Sequence, residues 1–152
     1  MGDIMNALDT DVAAIAAVLD RLVAAWDSGD GAAYAAEFTS DATYITYVGT
    51  LYQGADEIGR AHQALFDSFL KGTRLFHEVQ SIRHVGSDSA LVVTRGATGK
   101  GTKPAQLDKV QTYSLVRTGA GWKVAAFQNT KRKPLLEAVS FKFQPASKPA
   151  VG

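Results

Sequence analysis

Val12, Ile15, Leu19, Leu22, Val23 and Trp26 recur at three- and four-residue steps. That spacing draws one apolar stripe along a long helix. Asp9 or Thr10 stands where its N-cap belongs, and Ser28-Gly29-Asp30-Gly31 ends it. A short second helix is predicted behind an Asp30 cap, with Tyr34 and Phe38 on one side. Asp41 caps or turns the chain into a strand over Asp41–Tyr47, which is rich in β-branched and aromatic residues. Gly49 and Gly54 bracket a turn and a short strand at Leu51-Tyr52. The third helix runs from about Asp56 to Leu70. Its stripe is Ile58, Ala61, His62, Leu65, Phe66 and Phe69, and Gly72 stops it.

Beyond Gly72 the period changes to two. Leu75–Val85, Ala90–Gly99, Leu107–Arg117 and Trp122–Thr130 read as strands. Turns at Gly86-Ser87-Asp88-Ser89 and Thr118-Gly119-Ala120-Gly121 make two hairpins, and Lys100 to Ala105 is a loop. Helices first and a meander last predict an α+β fold. Three N-terminal helices pack on a curved, mostly antiparallel sheet, which makes a cone with an inside. Residues 1–143 form one domain, and 144–152 form a tail that is mobile or held by a neighbour.

Hairpin pairing predicts what lines that inside. With Arg117 opposite Trp122, Leu115 meets Val124, Tyr113 meets Ala126 and Gln111 meets Gln128 on the inner face. Val110, Thr112, Ser114, Val116, Ala125, Phe127 and Asn129 then face outward, and a one-residue bulge would exchange the sets. Pairing Val85 with Ala90 puts Phe76, Glu78, Gln80, Ile82, His84, Leu91, Val93 and Arg95 inside.

Composition narrows the chemistry. The 152 residues suit one domain, and burying roughly 70% of the unfolded surface lets such a chain fold alone. Net charge is +1, which gives no electrostatic case for nucleic acid, and Lys131-Arg132-Lys133 reads as a solvated strand exit. Cysteine is absent, and His62, His77 and His84 have no metal spacing, so no metal or organic cofactor is expected. No apolar run approaches membrane-spanning length. The start, Met1-Gly2-Asp3-Ile4, lacks a basic signal region, so a cytoplasmic protein is expected.

Trp26-Asp27-Ser28-Gly29-Asp30, then Phe38-Thr39-Ser40-Asp41-Ala42, then Gly54 ahead of the third helix, and finally Trp122 to Thr130 form a recognisable series. It resembles the nuclear transport factor two-like superfamily, within it the SnoaL-like group. It is most similar to the small actinobacterial proteins of enediyne and other polyketide pathways. The resemblance spans about Val12 to Thr130 and implies the cone-shaped fold. Relatives include cyclases, isomerases, dehydratases and binding modules. The group resembled carries histidine before its Asn-Thr pair, where this chain has Gln128.

Each candidate residue has two readings. His62, one turn from Ile58 and Phe66, suits a general base at a pocket mouth or a hydrogen-bonded histidine at the core's edge. Glu78 with Arg95 suits a base with an anion clamp or a cross-strand ion pair. Gln111, Tyr113 and Gln128 can orient a ligand's carbonyl or hydroxyl. Trp26, Tyr34, Tyr44 and Phe66 belong to the core and border the cavity. The expected function is a pocket protein of natural-product biosynthesis that binds an apolar polyene or polyketide and promotes cyclisation or isomerisation by confinement. The alternatives are a non-catalytic binding or protein-partner module, and an acid–base isomerase or cyclase using His62 or Glu78. A homodimer through the open sheet face is expected as well.

Overall fold

A computed structural model describes residues 2–103 and 106–150, with side chains from Leu8 onward. Pro104 and Ala105, in the loop expected from Lys100, and Val151 and Gly152, in the expected tail, lie outside the described residues. The first helix, α1, spans Gly2–Asp27. It begins seven residues before the expected cap, because Ile4-Met5-Asn6-Ala7-Leu8 contains no breaker, and Asp9 and Thr10 sit exposed within it. Most of the stripe is where the sequence put it: Ile15, Leu19 and Leu22 are at most 2% exposed and Trp26 is 8% exposed, while Val12 is 38% exposed and Val18, outside the expected set, is buried.

The remaining helices are α2 (Gly31–Ala35), α3 (Ala55–Phe66) and α4 (Pro134–Phe143). Asp30 caps α2 as expected, its carboxylate accepting from Ala33 N–H at 3.0 Å. The strands are β1 (Phe38–Ile45), β2 (Leu51–Gln53), β3 (Arg74–His84), β4 (Ser89–Gly99), β5 (Lys109–Thr118) and β6 (Gly121–Lys131). They form one sheet in the order β2-β1-β6-β5-β4-β3, in which only β1 and β6 run parallel. The class is α+β with a mostly antiparallel sheet. The expected set of three helices is incomplete, since β1 and β2 stand between α2 and α3 and a fourth helix, α4, follows the sheet.

Polar bonds fix α1 across the sheet at two points. Before its midpoint, Asp11 accepts from Arg117 Nη2 at 2.6 Å and from Trp122 Nε1 at 3.4 Å, at the β5–β6 turn. Its pKa is lowered, first by the Arg117 hydrogen bond. At its C-terminal end, Asp27 accepts from Leu75 N–H at 2.9 Å and Trp26 Nε1 donates to Thr73 Oγ1 at 3.1 Å. Sixteen residues of helix separate these aspartates, about 24 Å at ~1.5 Å per residue. Between them the stripe lies over Val92, Leu115 and Val124, which are fully buried.

Two bulges set the faces. The β5–β6 register passes from Leu115↔Val124 to Ser114↔Ala126, so Ala125 is an extra residue. The β3–β4 register skips Gln80, between Val79 and Ser81, and its closing pair is His84↔Ala90 rather than Val85 with Ala90. Because side chains alternate with period two, each one-residue offset exchanges inside and outside. Phe127 and Asn129 therefore turn inward and Gln128 outward, the reverse of the expectation. On β4, Ala90, Val92, Thr94 and Gly96 are buried, so Leu91, Val93 and Arg95 face away from the helices.

The crossing of α2 and α3 requires glycine. A Cβ on Gly31 would lie 2.6 Å from the Gly59 carbonyl oxygen and 2.8 Å from Gln63 Cβ. Overpacking costs about 1–3 kcal/mol, against at most about 1 kcal/mol gained by replacing a helical glycine. Gly31→Ala is expected to lower the melting temperature in a thermal scan; an unchanged or higher value would contradict this contact.

Candidate functional site

The end of α1, α2, the end of β1, the segment after α3, the start of β3 and the adjoining parts of β4, β5 and β6 surround a cavity of about 80 Å³. Its walls include Trp26, Tyr34, Tyr44, Leu75, Tyr113 and Phe127, and its polar lining is Thr98, Lys109, Gln111 and Asn129. Aromatic packing shapes the floor. Phe127 stacks on Tyr44 with centroids 4.3 Å apart and meets Tyr113 at 4.8 Å. The Tyr34 and Tyr44 hydroxyls share a hydrogen bond of 3.1 Å. Burial raises the pKa of Tyr34, Tyr44 and Tyr113, so all three phenols stay protonated at neutral pH.

The amides carry the polarity. Gln111 is 4% exposed, and its Oε1 accepts from Thr94 Oγ1 at 2.8 Å. Its NH₂ remains as a donor beside the cavity that the residue lines. Gly96 makes room for that amide, since a Cβ there would lie 2.4 Å from Gln111 Oε1. Asn129 presents a buried Oδ1 with no hydrogen-bond partner. Lys109 Nζ lies 3.2 Å from Asp108 Oδ1 and 5.3 Å from the centre of the Tyr47 ring. Lys109 is the one lining residue with a formal charge, and no carboxylate or histidine lines the cavity.

Five of the expected residues meet here: Trp26, Tyr34, Tyr44, Gln111 and Tyr113. The other five stand elsewhere. Gln128 is exposed on the outer face because of the Ala125 bulge. Glu78 and Arg95 lie within cross-strand reach as expected, and the observed register makes them direct partners, but on the outer face. There Glu78 accepts from Gln80 Nε2 at 3.1 Å rather than forming an ion pair with Arg95. Phe66 packs edge-on against Trp26 at 5.1 Å, outside the cavity lining.

His62 is 2% exposed within an aromatic cage, 4.5 Å from Tyr34 and 4.8 Å from Tyr44 between ring centres. Its Nδ1 lies 2.7 Å from the Ile58 carbonyl, which only accepts, so Nδ1 carries the proton. Burial lowers its pKa to about 4. His62 and Glu78 do not converge on one site.

Sequence reasoning missed Tyr47, Leu70, Leu75, Ala97, Thr98, Lys109, Phe127 and Asn129. The signal for Lys109 was present, because it shares the strand parity of Gln111 and Tyr113. A larger hollow, about 760 Å³, lies open on the outside between α2, α3 and β1, lined by small residues such as Ala32, Ala35 and Gly59 together with the charged Asp56, Arg60 and Lys123. It holds no unpartnered buried polar atom. Among the described residues, no three histidine, aspartate or glutamate side chains gather as metal ligands.

The sequence matches the profile of the SnoaL-like domain over residues 15–128. No curated protein matches it. Among solved structures, a domain of unknown function with a cystatin-like fold from Nostoc punctiforme is 33% identical. The match covers 93% of this chain and 88% of that one, with a TM-score of 0.74. A ketosteroid isomerase-like protein from Erwinia carotovora (20% identity, 82% and 98% covered, TM-score 0.63) shares the fold. So does an NTF-2 like protein of unknown function from Shewanella oneidensis (19%, 79% and 98%, 0.67).

Burial of His62 links stability to pH. The unfolded chain takes up its proton near pH 6.5, while the folded chain resists until about pH 4. Unfolding is therefore favoured progressively as pH falls through that window, by about 3 kcal/mol in all. His77 on β3 shifts in the same direction, also through burial, so the wild type must be compared with a variant. Urea unfolding of His62→Gln is expected to depend less on pH between 6.5 and 4 than the wild type; parallel curves would contradict the assignment.

Proposed function

The chain belongs to the SnoaL-like domain family, and on that premise we propose that it binds a small, mostly apolar, oxygen-bearing molecule in the cavity under the sheet. The unpartnered Asn129 Oδ1 carries the reading. A buried polar atom without a partner costs about 1–3 kcal/mol, and a ligand hydroxyl recovers that loss. Gln111 NH₂ and Lys109 Nζ supply donors for a carbonyl or carboxylate on the same molecule. The ligand class this fits is a polyketide or polyene intermediate of natural-product biosynthesis, held with its hydroxyl at Asn129 and the adjoining apolar chain beside Tyr44, Tyr113 and Phe127.

Confinement is the mechanism that the lining supports. Holding a flexible chain in one reactive geometry removes several kcal/mol from a cyclisation or isomerisation barrier without an ionisable catalyst. Acid–base catalysis of the kind suggested by the ketosteroid isomerase-like neighbour draws little support, because no carboxylate lines the cavity and His62 stands outside it as a weakened base. A binding module without turnover uses the same site. Accumulation of an uncyclised polyketide after gene deletion in the producing organism would separate turnover from binding.

Paired variants test the site. Asn129→Leu removes an unsatisfied group, so its thermal stability should equal or exceed that of the parent, while ligand affinity should fall by about 1–3 kcal/mol. Gln128→Ala, one residue away on the outer face, should leave both unchanged. Loss of binding in Gln128→Ala with full binding in Asn129→Leu would overturn the assignment.

The outer sheet face supports a twofold dimer as part of this proposal. Val110, Thr112, Ser114 and Val116 face outward as expected, Phe127 leaves the patch, and Leu91 and Val93 join it. A twofold partner would bury this row of half-buried apolar side chains on both chains. Sedimentation should give a dimer at micromolar concentration, and a monomer would contradict the interface.

A further inference from the structure

The cavity has room for only about three water-sized groups at ~80 Å³. Most of any polyketide-sized ligand must therefore lie beyond its mouth. That mouth is the end of the sheet with Leu75 near the start of β3, Thr98 near the end of β4, Lys109 at the start of β5 and Asn129 near the end of β6. Exposed apolar side chains gather around it. Tyr47 and Val48 follow β1, and Phe69, 88% exposed, precedes the cavity-lining Leu70.

Helix α4 starts at the same end, only two residues after β6. Leu135, Leu136, Val139 and Phe143 are all exposed, Leu135 to 85%. At ~100° per residue these four fall within about 100° of one another, so they make a single apolar face. Its root is fixed at the mouth. Arg132 N–H donates to the Asp108 carbonyl at 2.7 Å, next to Lys109, and Arg132 Nη2 lies 3.4 Å from Glu137 Oε2 in the first turn of α4. Beyond that root, the helix packs chiefly on the 3-10 turn Pro145–Ser147 that follows it.

We infer that α4 is the missing wall of the binding site: its apolar face folds over the mouth and covers the part of an elongated, hydroxyl-bearing apolar ligand that the cavity cannot hold. The inference rests on the cavity being the ligand site. The hydroxyl donates to Asn129 Oδ1, and the chain leaves past Tyr47 and Phe69 to lie beneath Leu135, Val139 and Phe143. The short tether keeps the helix beside the mouth. It also predicts that selectivity depends on ligand length.

Straight-chain primary alcohols from butanol to dodecanol provide the probe, read by tryptophan emission, to which the cavity wall residue Trp26 contributes. With the full chain, affinity should rise about fourfold per added methylene along the whole series, the factor for burying each CH₂. The double variant Leu135→Glu with Val139→Glu changes only exposed positions, so its fold should persist. It should match the parent for butanol and stop gaining affinity once the cavity is full, leaving dodecanol at least tenfold weaker. Parallel series in the two proteins would overturn the inference. So would an unchanged alcohol series with a switch from dimer to monomer in sedimentation, since α4 would then be an arm to a second copy. A saturable response to no alcohol, butanol included, would remove the cavity reading itself and this inference with it.

Discussion

One extra residue in β6, Ala125, decides what the cavity contains. A strand alternates its side chains strictly, so an inserted residue reverses every position that follows. Val124 faces in before the bulge; Phe127 and Asn129 face in after it. The neighbouring strand accommodates the same offset. The β1–β6 register shifts between Phe38 and Thr43, and Val124 N–H crosses to the Glu37 carbonyl at 2.8 Å. Only with this offset does Phe127 reach the Tyr44 ring, and only with it does the Asn129 amide enter the cavity.

The surroundings of that amide are electrically quiet. Burial keeps three phenols protonated, and His62 holds a single proton bound to a backbone carbonyl. Charge is confined to Lys109, at the edge, where Asp108 and the Tyr47 ring partly balance it. Such a chamber can align a polar group by hydrogen bonds while leaving an apolar chain unsolvated. That division of labour between aromatic floor and amide-lined mouth favours orientation over proton transfer.

Much of this was legible in the sequence. The stripe from Ile15 to Trp26, the Asp30 cap and the change of period after Gly72 rest on local rules, and they hold in the structure, though Val12 stands exposed ahead of the stripe. The inner face of β5 was also readable, because Gln111, Tyr113 and Leu115 lie on a strand without a bulge of its own. The bulges at Gln80 and Ala125 were not readable, since no glycine or proline marks either and each is fixed by a partner strand. For that reason Gln128 and Glu78 were placed inside when they face outward, and Arg95 was misplaced because the hairpin closes on His84↔Ala90 rather than on Val85. Helix α4 escaped notice for a different reason. Its apolar residues pack on little within the chain, and the sequence offers no partner surface for them.

The central claim is the direction in which Gln128 and Asn129 point, and the chain provides a clean background for measuring it because it contains no cysteine. Single cysteines placed at 128 and 129 can be labelled with a thiol reagent under native conditions. The account predicts rapid labelling of Gln128→Cys and slow, ligand-sensitive labelling of Asn129→Cys. Rapid labelling at 129 with protection at 128 would contradict it.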